Sequence, residues 1–225
     1  MKFPNEFSIL IGFLIILVMA GFSSPQKKTK KLSRLQEPRL APLPESEWTQ
    51  RQANFLNPLK NSSGKVLNVF ATLARHPKLV EDYSPFIWYI LREQTLPPRE
   101  REMLILRIGW LCQAEYEFGQ HTIVGKQAGL TDEEILCITK GPDDPAWSEP
   151  EAALLRAADE LFHDAIISNA TWKILTEHYE EKQLMDVVFT IGQYNMVSWM
   201  LNSFGVQLEE GIPGFPEGPE RKKSP

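Results

Sequence analysis

A chain of 225 residues, 43% of them hydrophobic, is long enough to bury one full core. Its net charge of −5 and pI near 5.5 leave no basic footprint for a polyanion, so nucleic acid is excluded as an expected partner.

The N-terminus stands apart from that core. Residues 9–22 read ILIGFLIILVMAGF, without a charge, behind the short head MKFPNEFS. This stretch falls short of the roughly 20 residues that span a bilayer core, and residues 1–24 read as a signal peptide or membrane anchor. Val18-Met19-Ala20 offers a small-residue cleavage pattern, whereas the basic run Lys27, Lys28, Lys30 and Lys31 favours retention at the cytoplasmic face. The protein is therefore expected to be membrane-anchored or secreted, with membrane contact through this segment if it is uncleaved. Residues 25–44, rich in Pro, Ser and Lys, read as a flexible linker.

The remainder patterns as helices. Lys65 to Arg75 places Val66, Val69, Phe70 and Leu73 on one stripe, and Pro77 opens the next helix, in which Pro85 is a candidate kink. Pro97 and Pro98 open a long helical segment with Met103, Leu104, Leu106, Ile108 and Leu111 on its apolar face and Gly129 as its stop. Thr131 with Glu134, and Ser148 with Glu151, fit capping boxes. Ala152 to Phe162, Thr171 to Tyr179 behind Ser168 or Asn169, and Gln183 to Phe204 complete the set. No run alternates at period two, so the fold class is all-α, with a folded domain over 45–210 and a disordered tail over 211–225.

The chemistry gathers between Arg99 and Leu130. Glu117 and His121 are four residues apart and share a helical face, with Ala114 leaving a small hole beside them. Glu102 joins them only if the chain bends near Gln113 to Tyr116. An imidazole with an ordinary pKa of about 6.5 is the natural proton-transfer group, raised by a neighbouring carboxylate and lowered by burial. Spacing alone also fits an exposed i,i+4 pair worth about 0.3 kcal/mol. Tyr116 and Tyr194 can hydrogen-bond a substrate oxygen, and Arg107 can hold a carboxylate or form an ion pair with a helix acid.

Cys112 and Cys137 lie on different expected helices, and Cys112 is expected to be buried and inert. An exposed Cys112 thiolate would instead support a single-cysteine peroxidase. His76, His121, His163 and His178 are scattered, and neither H-E-x-x-H nor a Cys/His cluster is present, so no metal is expected. No phosphate loop or dinucleotide fingerprint points to a cofactor.

The segments PPREREMLILRIGWLCQAEYEFGQH, AGLTDEEI, GPDDPAWS, LLRAADELF, DVVFTIGQY and LNSFGVQLE, in that order, resemble the carboxymuconolactone decarboxylase family, which includes the alkylhydroperoxidase D-like proteins. The resemblance spans about residues 45–210. It implies a compact helical fold assembled as trimers or hexamers, an active site near subunit contacts and no organic cofactor. Redox members carry a glutamate, a Cys-x-x-Cys pair, and a histidine four residues after the second cysteine. Glu102 and His121 match the outer two, while Ala114 and Glu117 stand at the cysteine positions. A dithiol peroxidase needs an attacking thiolate and a resolving thiol, and this branch has neither there. Gln193, in the family-like GQY segment, is expected to line the pocket.

Three functions are thus in view. The first is a cofactor-free acid/base enzyme acting on a small carboxylate, lactone or carbonyl compound through His121, Glu117 and Glu102, with Tyr116, Arg107 and Gln193 binding substrate. The second is an alkylhydroperoxidase-type antioxidant using Cys112. The third is a non-catalytic helical oligomer that binds a ligand or partner.

Overall fold

The computed structural model describes residues 34–216, and among these there is no strand. The helices are α1 (Gln50–Leu56), α2 (Asn68–Leu73), α3 (Pro77–Trp88), α4 (Pro98–Leu111), α5 (Glu115–Gln127), α6 (Asp132–Lys140), α7 (Glu149–Asp164), α8 (Asn169–His178) and α9 (Glu181–Phe204). Short 3₁₀ turns occupy Glu45–Glu47 and Asn57–Leu59, and a π-helical turn at Tyr89–Glu93 continues α3.

Local chemistry sets most of these boundaries. The side chain of Thr131 caps α6 in a reciprocal box with Glu134, and Ser148 and Glu151 do the same for α7. Ser168 caps α8, and Gly205, at φ 70°, ends α9 in a left-handed turn. Pro85 sits inside α3, which runs on to Trp88 before widening into the π-helical turn.

Helix α4 is the axis of the fold. Every residue from Glu102 to Gly109 is buried, because α5, α6, α7 and α9 all pack against it. Its core face joins Leu104, Ile105 and Ile108 to Leu154, Leu175, Val187 and Ile191 from α7, α8 and α9.

The expected bend is a full break between α4 and α5. Gln113 adopts φ 53°, and Ala114, at 0% exposure, starts α5 from a non-helical conformation. The carbonyls left free at the end of α4 are taken up by side chains: Arg34 donates to Cys112 O at 2.7 Å and Gln113 O at 2.9 Å, and Asn202 donates to Cys112 O at 3.0 Å. The returning α5 lies close against α4 at Gly125. A Cβ there would stand 3.1 Å from Leu130 Cδ1, 3.3 Å from Leu106 Cδ1 and 3.7 Å from Glu102 Cβ.

Both edges of the folded unit lie further out than composition suggests. Residues 34–43, expected within a flexible linker, run along the helices: Arg39 N donates to Phe204 O, Leu43 N donates to Ala71 O, and Leu43 is buried. Residues 211–216, expected in a disordered tail, cross α5, and Phe215 packs its ring 5.2 Å from those of Trp110 and Phe118. Backbone hydrogen bonds and buried apolar side chains hold these Pro-rich segments, which have no periodicity of their own.

Gly119 permits this crossing, because a Cβ there would lie 2.3 Å from Pro213 O and 2.9 Å from Leu208 Cδ2. Gly119→Ala is expected to lift the C-terminal segment, cost about 1–3 kcal/mol, and speed proteolysis C-terminal to Leu208. Thermal unfolding and limited proteolysis measure both effects.

The membrane-anchored or secreted placement is corrected here. Among the described residues no helix is long and apolar enough to cross a membrane. The segment 9–22 on which that placement rested lies outside them.

Candidate active site

The α4–α5 hairpin brings Glu102, in the second turn of α4, to the α5 pair Glu117 and His121. Glu102 Oε2 is 2.6 Å from His121 Nδ1, and His121 Nε2 is 3.0 Å from Glu117 Oε1. Behind them, Arg101 Nε donates to the second oxygen of Glu102 at 2.9 Å. The three residues are 0%, 4% and 9% exposed in the order Glu102, Glu117, His121.

Both ring nitrogens face carboxylates. A neutral imidazole carries one N–H and satisfies only one of them, whereas the imidazolium satisfies both. Burial alone would favour the neutral ring, but Glu102 and Glu117 outweigh it and raise the His121 pKa to about 10. For Glu102, burial pushes the carboxyl up, and the charges and hydrogen bonds of His121 and Arg101 more than reverse this, leaving it below its ordinary value. The expectation of a histidine titrating near neutrality is corrected: two carboxylates act on it rather than one. The sequence Arg101, Glu102, His121, Glu117 alternates in sign.

Glu117 and His121 open on a cavity of about 190 Å³ between α2, α3, α5 and α9. Its walls are mainly apolar: Leu67, Val69, Phe70 and Leu73 on one side, Ile87 and Leu91 on another, and Val124, Val197 and Met200 opposite. Tyr194 sets its ring edge-on to His121, with centroids 5.0 Å apart. Glu102 does not line this cavity and acts from behind the histidine.

Tyr116 and Gln193 are wall residues of this cavity. The Tyr116 hydroxyl is engaged: it donates to Glu209 Oε1 at 2.8 Å and accepts from Val69 N at 3.3 Å. Gln193 Nε2 donates to the hydroxyl of Tyr83. Tyr83 and Glu209 carry no sequence signal for the site, because only tertiary packing brings α3 and the C-terminal segment to α5.

Arg107 is not part of the site. Its Nε and one terminal nitrogen clamp Asp159 at 2.6 and 2.8 Å, and its other terminal nitrogen donates to Ile138 O and Thr139 O at 2.8 and 3.2 Å. It ties α4 to α6 and α7, and its expected substrate-holding role gives way to the ion pair.

Cys112 is 6% exposed and is not among the residues lining the cavity. Its thiol donates to Asn195 Oδ1 at 3.0 Å, and burial raises its pKa to about 11. At neutral pH it is a thiol, which is a poor nucleophile.

Residues 77–160, spanning α3 to α7 and hence Tyr83, Glu102, Glu117 and His121, match the model of the carboxymuconolactone decarboxylase family. Protein YdfG of Bacillus subtilis (strain 168) is 24% identical over 110 residues, which is 48% of this chain and 74% of the relative. The fold is similar to that of the alkylhydroperoxidase AhpD core of a peroxidase-related protein from Ralstonia eutropha JMP134, with TM-score 0.67 and 18% identity over 76% of this chain and 93% of that one. A cysteine-to-alanine variant of the debrominase Bmp8, in complex with 2,3,4-tribromopyrrole, is similar at TM-score 0.65 and 15% identity, covering 78% and 94% of the two chains. The fold is all-helical and AhpD-like.

Proposed function

We propose that this protein is a cofactor-free acid/base enzyme that moves a proton to or from carbon in a small carbonyl compound, in an isomerisation, decarboxylation or lactone reaction. The observation that carries this reading is the line Glu102, His121, Glu117, which ends in a carboxylate at the wall of an apolar cavity. Glu117 is the group that meets substrate. His121, held charged by Glu102, orients the Glu117 carboxylate at the cavity wall while it takes up the proton and gives it back.

An apolar cavity favours such a step, because it keeps bulk water away from the reacting groups. The buried Cys112 thiol offers nothing comparable for peroxide reduction, so the redox alternative is not carried forward. The test is deuterium uptake from heavy water into α-angelica lactone, a small neutral lactone with an acidic methylene, followed by proton NMR. Uptake above the buffer rate supports the reading. Uptake at the buffer rate, together with peroxide turnover supported by a dithiol, would overturn it.

We also propose a homo-oligomer, a trimer or hexamer, whose contacts include the outer face of α9. Met185, Phe189, Met196 and Trp199 lie there, each 44–60% exposed, and a large exposed apolar stripe marks an association surface. Phe189→Glu is expected to shift the mass measured by light scattering toward that of a single chain while the helical circular dichroism is retained. An unchanged mass would exclude this face.

A further inference from the structure

Tyr83 is a polar group in the cavity that the acid/base line does not use. It is half-buried on α3 and lines the same cavity as Glu117, within electrostatic reach of that carboxylate. Its oxygen accepts a hydrogen bond from Gln193 Nε2, and no described residue accepts its hydroxyl hydrogen. Gln193 is 5% exposed, and its Oε1 is buried without a partner, so the hydrogen bond that fixes this amide is the one to Tyr83. A hydroxyl whose lone pair is claimed by a fixed donor must aim its hydrogen elsewhere, and the space left to it is the cavity.

The charge of the cavity bears on the same ligand. No Lys or Arg is among the residues lining it. The one cation, His121, is already matched by two carboxylates. An ionised carboxylate entering here would lose its hydration and find no free positive partner.

We propose that Tyr83 donates a hydrogen bond to the carbonyl oxygen of a neutral, uncharged substrate while Glu117 removes the proton from the adjacent carbon, and that Gln193 is the positioning residue that aims the Tyr83 hydroxyl. The inference rests on the acid/base reading of Glu117 for its catalytic half; its binding half stands on the cavity alone. In the step itself the C–H bond breaks and an O–H bond forms on Glu117. The electron pair moves into the carbonyl to give an enolate, whose oxygen Tyr83 stabilises; the proton held on Glu117 exchanges with solvent, and Glu117 then delivers a proton to this carbon or to its vinylogue. No oxidant or reductant is consumed. Tyr83 keeps its own proton, since burial raises its pKa to about 12.

The test uses the full chain and cyclopentanone isotope-labelled at its carbonyl carbon. Wild type is expected to bind it saturably, with a downfield shift of the carbonyl resonance that is lost in Tyr83→Phe and reduced in Gln193→Leu. Cyclopentanecarboxylate is expected to bind at least tenfold more weakly. With α-angelica lactone, Tyr83→Phe is expected to lower kcat for deuterium uptake by about 10²-fold with KM little changed.

Absence of saturable cyclopentanone binding, an unshifted bound carbonyl, or preference for the carboxylate would each overturn the proposal. If the shift depends on Tyr83 but Glu117→Gln leaves deuterium uptake unchanged, the acid/base reading fails and the carbonyl site remains. If Glu117→Gln abolishes uptake and Tyr83→Phe does not alter it, the acid/base reading stands and this inference fails.

Discussion

Glu102→Leu is expected to destabilise the protein by about 3–5 kcal/mol, the largest loss from any single side chain of the site. Glu102 is fully buried, and its two oxygens meet His121 at 2.6 Å and Arg101 at 2.9 Å. Removing the carboxylate leaves the N–H donors of buried His121 and partly buried Arg101 without their acceptor and Glu117 as the sole counter-charge to the ring. Glu102→Gln keeps the shape and one acceptor and should cost less. Chemical denaturation at pH 7 measures both, and equal stability of wild type and Glu102→Leu would show that the pairing contributes nothing to the fold.

The same contacts fix a pH dependence. The folded-state pKa of His121 is raised to about 10 from its ordinary 6.5. Its contribution is therefore fully present below the unfolded value and is lost as pH rises through 6.5 toward 10. Glu102 has the opposite sign: its pKa is lowered, so its contribution is present above its ordinary 4.5 and is lost as pH falls through the lower folded value. Stability assigned to this cluster is greatest between about 4.5 and 6.5 and declines on the alkaline side. His121→Gln is expected to flatten that alkaline slope.

Glu117→Gln is expected to carry the largest catalytic loss, about 10²–10⁴-fold in kcat for carbon–hydrogen exchange, with the helical fold intact. Glutamine fills the same space beside His121 but cannot accept a proton. Its amide also withdraws one of the two charges that hold the imidazolium, so the His121 pKa should fall. Deuterium uptake and unfolding free energy measured on the same preparation separate the two effects. A variant of wild-type activity would remove Glu117 from the chemistry.

The sequence made some of this architecture readable and concealed the rest for identifiable reasons. The capping boxes at Thr131 and Ser148 are local, and α6 and α7 begin where they predict. The i,i+4 pairing of Glu117 with His121 is equally local. Glu102 is marked in the sequence only by the resemblance and the expected bend, since nothing in the spacing of residues 102 and 121 shows that α4 and α5 fold back on each other.

Arg107 was ambiguous because its partner, Asp159, lies on a helix 52 residues further along the chain. Tyr83 was invisible for the same reason, its contact with Gln193 bridging 110 residues. The outer edges are not legible in composition, because contacts such as those of buried Leu43 and stacked Phe215 hold segments that read as linker. Helix α4 shows no clean amphipathic face because it has no solvent face along its centre.

The most direct test of the central claim is the protonation state of His121, read by nitrogen NMR of the isotope-labelled imidazole between about pH 5 and pH 11, a range that brackets both its ordinary and its raised pKa. An imidazolium bridged by Glu102 and Glu117 predicts both ring nitrogens protonated at neutral pH, with the transition to the neutral ring near pH 10 and at lower pH in Glu117→Gln. A neutral single tautomer already present at pH 7 would contradict the account, because Glu117 would then have no charged partner holding it ready at the cavity wall.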